Sequence, residues 1–111
     1  MSTKNDVFES DEQGVMHLAG HDVRELVREY ETPLIVLLEE NIRRSCRAYK
    51  EALGDDPGSQ VYYASKAFLT NGFCHLIEEE GLGLDVASPG ELHTALSAGF
   101  PPADILMHGN A

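Results

Sequence analysis

From Val61 to the end of the chain one unit recurs: a short apolar run, a few small or polar residues, then a segment with helical spacing that closes on glycine. The first run, Val61-Tyr62-Tyr63-Ala64-Ser65, is rich in residues that suit a pleated, buried strand, and Phe73, Leu76 and Ile77 after it predict a helix that stops at Gly81. Residues 84–87 form the second run and 89–98 the second helix, whose start signals are strong: Ser88 as N-cap, Pro89 at the first helical position, Glu91 closing a capping box and Gly99 ending the helix. Ile105-Leu106-Met107 is the third run and leads into His108-Gly109-Asn110. Strands about twenty residues apart with helices between them imply parallel pairing through right-handed crossovers. That leaves two α/β architectures, an open doubly wound sheet or part of a (β/α)₈ barrel. A whole barrel takes about 250 residues, so a chain of 111 residues is expected to be the front part of a longer protein.

The first sixty residues are patterned differently. Asp11-Glu12-Gln13-Gly14 reads as a turn between the extended pieces Val7-Phe8 and Val15-Met16-His17-Leu18, a small hairpin. Asp22 is a candidate N-cap with Glu25 three residues on, and Val23, Leu26, Val27 and Tyr30 predict a short amphipathic helix that Thr32-Pro33 breaks. Leu34-Ile35-Val36-Leu37-Leu38 is a solid apolar run, expected as a buried strand. Residues 39–53 predict a helix with Ile42, Cys46, Tyr49 and Leu53 on one stripe and Gly54 just past its end; 55–59 is a loop.

Nineteen acidic against eight basic residues give a formal net charge of −11, which repels phosphate backbones and anionic membranes and argues against nucleic acid or a membrane surface as partner. The polar start, Met1-Ser2-Thr3-Lys4-Asn5-Asp6, does not resemble a signal peptide, and the expected location is cytoplasmic. Cys46 and Cys74 form no C-x-x-C and read as reduced thiols on helix faces.

Lys66, residues 85–88 and residues 108–110 all fall at the carboxyl ends of successive strands, so a parallel sheet would set them along one rim, where α/β folds keep their chemistry. The residues alone leave two readings of Lys66. It is either a strand-end lysine that snorkels to water or an amine held against apolar walls, made available as a nucleophile toward aldehydes. Gly81-Leu82-Gly83 precedes a strand and lacks a third glycine, so it is no dinucleotide loop. Cys74-His75 has no second pair at ligand spacing, and no metal site is expected. His17, His21 and His93 read as surface residues, and Glu78-Glu79-Glu80 as a solvated face.

Several motifs in order resemble one family. Gly14-Val15-Met16-His17-Leu18-Ala19-Gly20-His21-Asp22, Thr32-Pro33-Leu34, Tyr63-Ala64-Ser65-Lys66-Ala67-Phe68, Glu79-Glu80-Gly81-Leu82-Gly83-Leu84-Asp85-Val86-Ala87-Ser88, Gly90-Glu91-Leu92 and His108-Gly109-Asn110 carry the resemblance. They are similar to segments of the diaminopimelate decarboxylases, fold-type III pyridoxal-phosphate-dependent barrel enzymes. That group also includes ornithine and arginine decarboxylases and, more distantly, alanine racemase. The resemblance covers nearly the whole chain from about Val7 and corresponds to the amino-terminal part of such an enzyme.

The resemblance implies an α/β fold, the amino-terminal part of a pyridoxal-phosphate-binding (β/α)₈ TIM barrel. Residues 1–31 would be a lead-in segment belonging to a β-domain, and 32–111 the first βα units. It implies that Lys66 is catalytic and carries pyridoxal 5'-phosphate covalently, that Asp85 is cofactor-binding, and that His108 and Asn110 are rim residues near the cofactor. The implied reaction is decarboxylation of meso-2,6-diaminopimelate to L-lysine, in a homodimer acting on a small amino-acid substrate. Another basic amino-acid decarboxylase of the superfamily, or a catalytically dead homologue that binds a related subunit, remain as alternatives. The glycine-rich phosphate site, the acidic partner of the pyridine nitrogen and a carboxyl-terminal β-domain would lie beyond Ala111, so this chain alone is expected to be inactive and to fold poorly. Four positions depart from the family pattern: Glu31 for a glycine, Leu37-Leu38 for Tyr-Asp, Pro89 for a glycine, and Ala111 for an asparagine.

Overall fold

The computed structural model describes residues 7–109, so Asn110 and Ala111 lie outside the described residues. The chain divides into two units, Met1–Ile42 and Arg43–Ala111.

In the first unit, β1 (Phe8–Ser10), β2 (Met16–Leu18) and β3 (His21–Asp22) form an antiparallel sheet in that order, one strand more than the expected hairpin. The β1–β2 turn is built by Asp11, whose Oδ1 accepts from the backbone N–H groups of Gln13 at 2.9 Å and Val15 at 2.8 Å. Helix α1 (Val23–Tyr30) starts at Asp22, whose side chain accepts from Arg24 N rather than closing a box with Glu25. The Arg24 guanidinium also bonds this carboxylate, at 2.7 Å, and holds it well below the usual aspartate range. The helix ends at Glu31, with φ 64° and ψ −175°. That backbone region is almost reserved for glycine.

The run at 34–38 is not the buried strand expected of it. Ile35 is 86% exposed, Leu34, Val36 and Leu37 are exposed too, and no described strand pairs with them. Apolar content makes a segment suitable for a sheet, but a strand exists only where a neighbour completes its ladder. Leu38 instead begins α2 (Glu39–Leu53), its carbonyl accepting from Asn41 and Ile42.

The second unit holds a parallel sheet in the order β4-β5-β6, formed by Tyr62–Ala64, Gly83–Val86 and Ile105–Met107. Helices α3 (Asn71–Glu79) and α4 (Pro89–Ser97) connect the strands and pack on β5 and on each other. Leu84 and Val86 of β5 are wholly buried with Cys74, Ile77 and Ala95 of these helices and Phe100. Successive strand residues face opposite ways. Asp85 therefore points away from the helices, on the face that also carries Ala64 and Leu106, its partners in the ladder register.

The helix starts agree with the sequence. Ser88 Oγ accepts from Glu91 N at 3.1 Å and donates to Glu91 Oε2 at 2.8 Å, while Pro89 occupies the first turn. Thr70 caps α3 in the same manner, accepting from Phe73 N. Gly83 has no room for a side chain: a Cβ there would lie 2.6 Å from the Tyr62 ring and 2.7 Å from the Asp104 carbonyl oxygen.

Two expectations about side chains are corrected. Of the stripe Ile42, Cys46, Tyr49 and Leu53, only Cys46 is buried, and Tyr49 is 69% exposed. Beside Cys46, the basic residues Arg43, Arg47 and Lys50 of α2 bond the acidic end of α3. Glu80, read as part of a solvated face, is only 8% exposed. Its carboxylate accepts from Arg43 at 2.9 Å and from Arg47 at 3.0 Å, and its carbonyl accepts from Lys50 Nζ at 3.0 Å. Arg47 and Arg43 hold the Glu80 carboxyl below the usual glutamate range. Two guanidinium groups from a separate helix thus offset both burial and the unfavourable helix dipole.

Candidate functional site

Lys66 follows β4 directly, in the 3₁₀ turn Ser65–Ala67. Within this turn Ser65 is 2% exposed, whereas Lys66 is exposed. The turn is held from both ends. Tyr63 packs its ring on Phe73, centroids 4.8 Å apart, and donates its hydroxyl to the Phe68 carbonyl at 2.7 Å. Phe68 in turn meets Phe73 edge to face at 5.4 Å. Burial pushes the Tyr63 phenol up, so it remains a neutral donor to Phe68. A tyrosine in a β-prone run gave no sign of this tie. Its signal was the pairing of the strand with a loop carbonyl five residues on, which only the folded turn creates.

Asp85 lies on the central strand, opposite Ala64 of β4 on one side and Leu106 of β6 on the other. His108 follows β6 and extends the ladder, its N–H donating to the Val86 carbonyl at 2.9 Å. Its ring Nδ1 is hydrogen-bonded to Asp85 Oδ1. The Asp85 side chain is 23% exposed and that of His108 50%. Lys66, Asp85 and His108 therefore occur at the carboxyl ends of three adjacent parallel strands, with Asp85 and His108 bonded on the face turned from the helices. Lys66 does not sit against apolar walls as one sequence reading had it; it is exposed, with the 3₁₀ turn lying against β5. Asn110 lies outside the described residues.

The other candidates do not join this rim. His75 Nε2 lies 2.9 Å from the Ala98 carbonyl, and Cys46 and Cys74 are free, buried thiols that burial pushes up in pKa. Among the described residues no group of three or more His, Cys, Asp or Glu side chains is placed to hold a metal, and no helix is long and apolar enough to cross a membrane.

Residues 39–111 match the family described as pyridoxal-dependent decarboxylase, pyridoxal binding domain. The chain belongs to this family. It is 49% identical over 100 residues to the diaminopimelate decarboxylase of Mycobacterium leprae, a match that covers 90% of this chain and 21% of that protein. A solved structure of an Aquifex aeolicus protein superposes with a TM-score of 0.85 at 33% identity, over 96% of this chain and 26% of the other. The diaminopimelate decarboxylase of M. jannaschii, solved in complex with L-lysine, superposes with a TM-score of 0.77 at 30% identity, again over 96% of this chain and 26% of the other. The chain thus spans about a quarter or less of the proteins it matches.

Fold and family agree: the three parallel strands with the two helices between them are the amino-terminal piece of the pyridoxal-binding barrel, and the family's cofactor is pyridoxal phosphate. The rim suits the aldehyde end of such a group. It offers one primary amine, able to form a carbon–nitrogen bond with an aldehyde, beside a carboxylate and an imidazole able to handle protons.

Proposed function

We propose that this chain is the cofactor-binding segment of a diaminopimelate decarboxylase, which converts meso-2,6-diaminopimelate to L-lysine and CO₂. The observation that carries the reading is the 49% identity to a diaminopimelate decarboxylase over 100 residues, in a chain whose Lys66, Asp85 and His108 share one sheet rim. The lead-in residues 1–31 would belong to a β-domain and residues 32–111 to the barrel, with the complete protein acting as a homodimer in the cytoplasm.

In this reading, pyridoxal phosphate when bound supplies the electron sink that accepts the pair left by the departing carboxylate. The chain's own residues do the rest. Lys66 would hold the cofactor through Nζ, and its amine would be the group that carries a proton at the reacting end. Asp85, one strand over, orients the Nζ and exchanges protons with it. The Tyr63 tie to Phe68 keeps the turn bearing Lys66 from swinging, so the amine is presented from a fixed backbone.

The test uses the complete gene product with diaminopimelate, ornithine and arginine supplied separately, measuring CO₂ release and amine product. Lysine formed from diaminopimelate alone, and lost in Lys66→Ala, is the expected result. Release only from ornithine or arginine would reassign the substrate, and release from none of the three would make the protein an inactive homologue.

A further inference from the structure

We infer that His108 is a positioning residue, which holds the Asp85 carboxylate so that its second oxygen is presented to the Lys66 amine. The inference rests on the reading of Lys66 as the cofactor-bearing lysine and adds to it a residue and a task.

The argument begins with register. Asp85 pairs with Ala64 on β4 and with Leu106 on β6. Lys66 stands two residues beyond Ala64, and His108 two beyond Leu106, so the two flank Asp85 at the same offset on opposite sides. With strands about 4.8 Å apart and a rise of about 3.3 Å per residue, the His108 Cα lies about 8 Å from that of Asp85, while Lys66 leaves β4 in the tighter 3₁₀ turn. On the β6 side the imidazole closes this gap, as its hydrogen bond to Asp85 shows. On the β4 side the lysine offers a longer side chain.

The direction of the His108 bond follows from chemistry. An ionised carboxylate only accepts, so Nδ1 must be the donor. That occupies Oδ1 and leaves Oδ2 for the other flank. His108 is itself fixed, because its backbone N–H continues the β5–β6 ladder on Val86. Asp85 and His108 are both partly open to water. Without the imidazole the carboxylate would rotate and solvate, and the exposed Lys66 would lose its orienting partner. His108 need not touch the cofactor to act, since its effect passes through Asp85.

The experiment measures the rate at which cofactor-free full-length protein captures added pyridoxal phosphate at one fixed pH, for wild type, Asp85→Asn, His108→Leu, His108→Gln and the Asp85→Asn/His108→Leu double variant. Borohydride reduction and mass spectrometry locate the label, and circular dichroism checks folding. Asp85→Asn and His108→Leu are each expected to slow capture about tenfold, a part of what a positioned acid–base group contributes. The double variant should be no slower than the slower single one, since both changes act on one chain of contacts. Glutamine, which keeps an N–H donor, should recover most of the rate. Ring-nitrogen NMR should report a proton on Nδ1 of His108 in the wild type and its loss of preference in Asp85→Asn. A wild-type rate in His108→Leu, strictly additive losses, or no recovery with glutamine in a folded protein would overturn the inference while leaving Lys66 as the cofactor lysine. A wild-type protein with no label on Lys66 would overturn both.

Discussion

Replacing Gly83 with alanine tests whether β5 is held as closely as the structure has it. The new Cβ would lie 2.6 Å from Cδ1 and Cε1 of Tyr62 and 2.7 Å from the Asp104 carbonyl oxygen, where ordinary carbon contacts are about 3.5–4.0 Å. The overlap is thus about 1 Å on two sides. Tyr62 is partly exposed and can swing its ring away, giving up its hydroxyl bond to Gln60. Asp104 cannot yield so cheaply, because its backbone belongs to the 3₁₀ turn Pro102–Asp104 that leads into β6, and its N–H is bonded to Pro101. Overpacking of this kind costs about 1–3 kcal/mol, and the lower chain entropy of unfolded alanine returns about 0.4–1 kcal/mol. The net expectation is a loss of about 1–2 kcal/mol, a fall of about 0.3–0.7 M in the urea midpoint for a slope of about 3 kcal/mol/M, the upper end of the usual range, as suits a protein several times this length. Urea titrations of the complete gene product followed by circular dichroism would measure it, in the wild type, Gly83→Ala, Tyr62→Ala and the double variant. The Gly83→Ala step should cost less in the Tyr62→Ala background, with the remainder assigned to the Asp104 oxygen. A Gly83→Ala protein within about 0.5 kcal/mol of wild type would refute the close approach, and an unchanged cost without the Tyr62 ring would refute the ring's share.

Glu31→Gly should stabilise the protein by about 1 kcal/mol, the relief of a side chain held in a glycine region less the entropy glycine adds to the unfolded chain; thermal melting of the two proteins compares them, and a lower melting temperature would count against the strain. Glu80 has its folded pKa depressed by Arg47 and Arg43, so its contribution is complete above the ordinary glutamate pKa and is lost as pH falls through the lower folded value. Glu80→Gln should therefore be less stable than wild type near neutral pH and should show a shallower loss on acidification, read from urea midpoints at a series of pH values; parallel curves would refute the ion-pair account. Lys66→Ala should abolish borohydride-fixed labelling by pyridoxal phosphate, with the labelled peptide sought by mass spectrometry, and labelling retained at another lysine would remove Lys66 from its proposed role.

What could be seen in the sequence was what its own neighbours decide. Ser88, Pro89, Glu91 and Gly99 specify α4 within a dozen positions, and the structure starts and stops that helix where they stand. The parallel pairing followed from spacing alone, because a helix between two strands leaves little choice but a crossover, whereas the order β4-β5-β6 is seen in the structure. Residues 34–38 failed for the complementary reason. Their apolar character is local, but a ladder partner is not, and without one the run lies exposed. Glu80 was misjudged likewise, since Arg43 and Arg47 reach it from more than thirty positions upstream and no local pattern joins them.

The rim stands between these cases. That Lys66, Asp85 and His108 occupy strand ends was legible, because strand ends can be counted off a sequence. That Asp85 and His108 are bonded was not, because it depends on register, and a slip of one residue would turn Asp85 toward the helices. Register here is not set by the rim residues at all. It is set by Leu84 and Val86, which are wholly buried and can satisfy the helix layer in only one of the two phases. The apolar residues that carry no chemistry therefore decide which face the carboxylate takes. A change that disturbed their burial would move Asp85 away from both flanking partners without touching either.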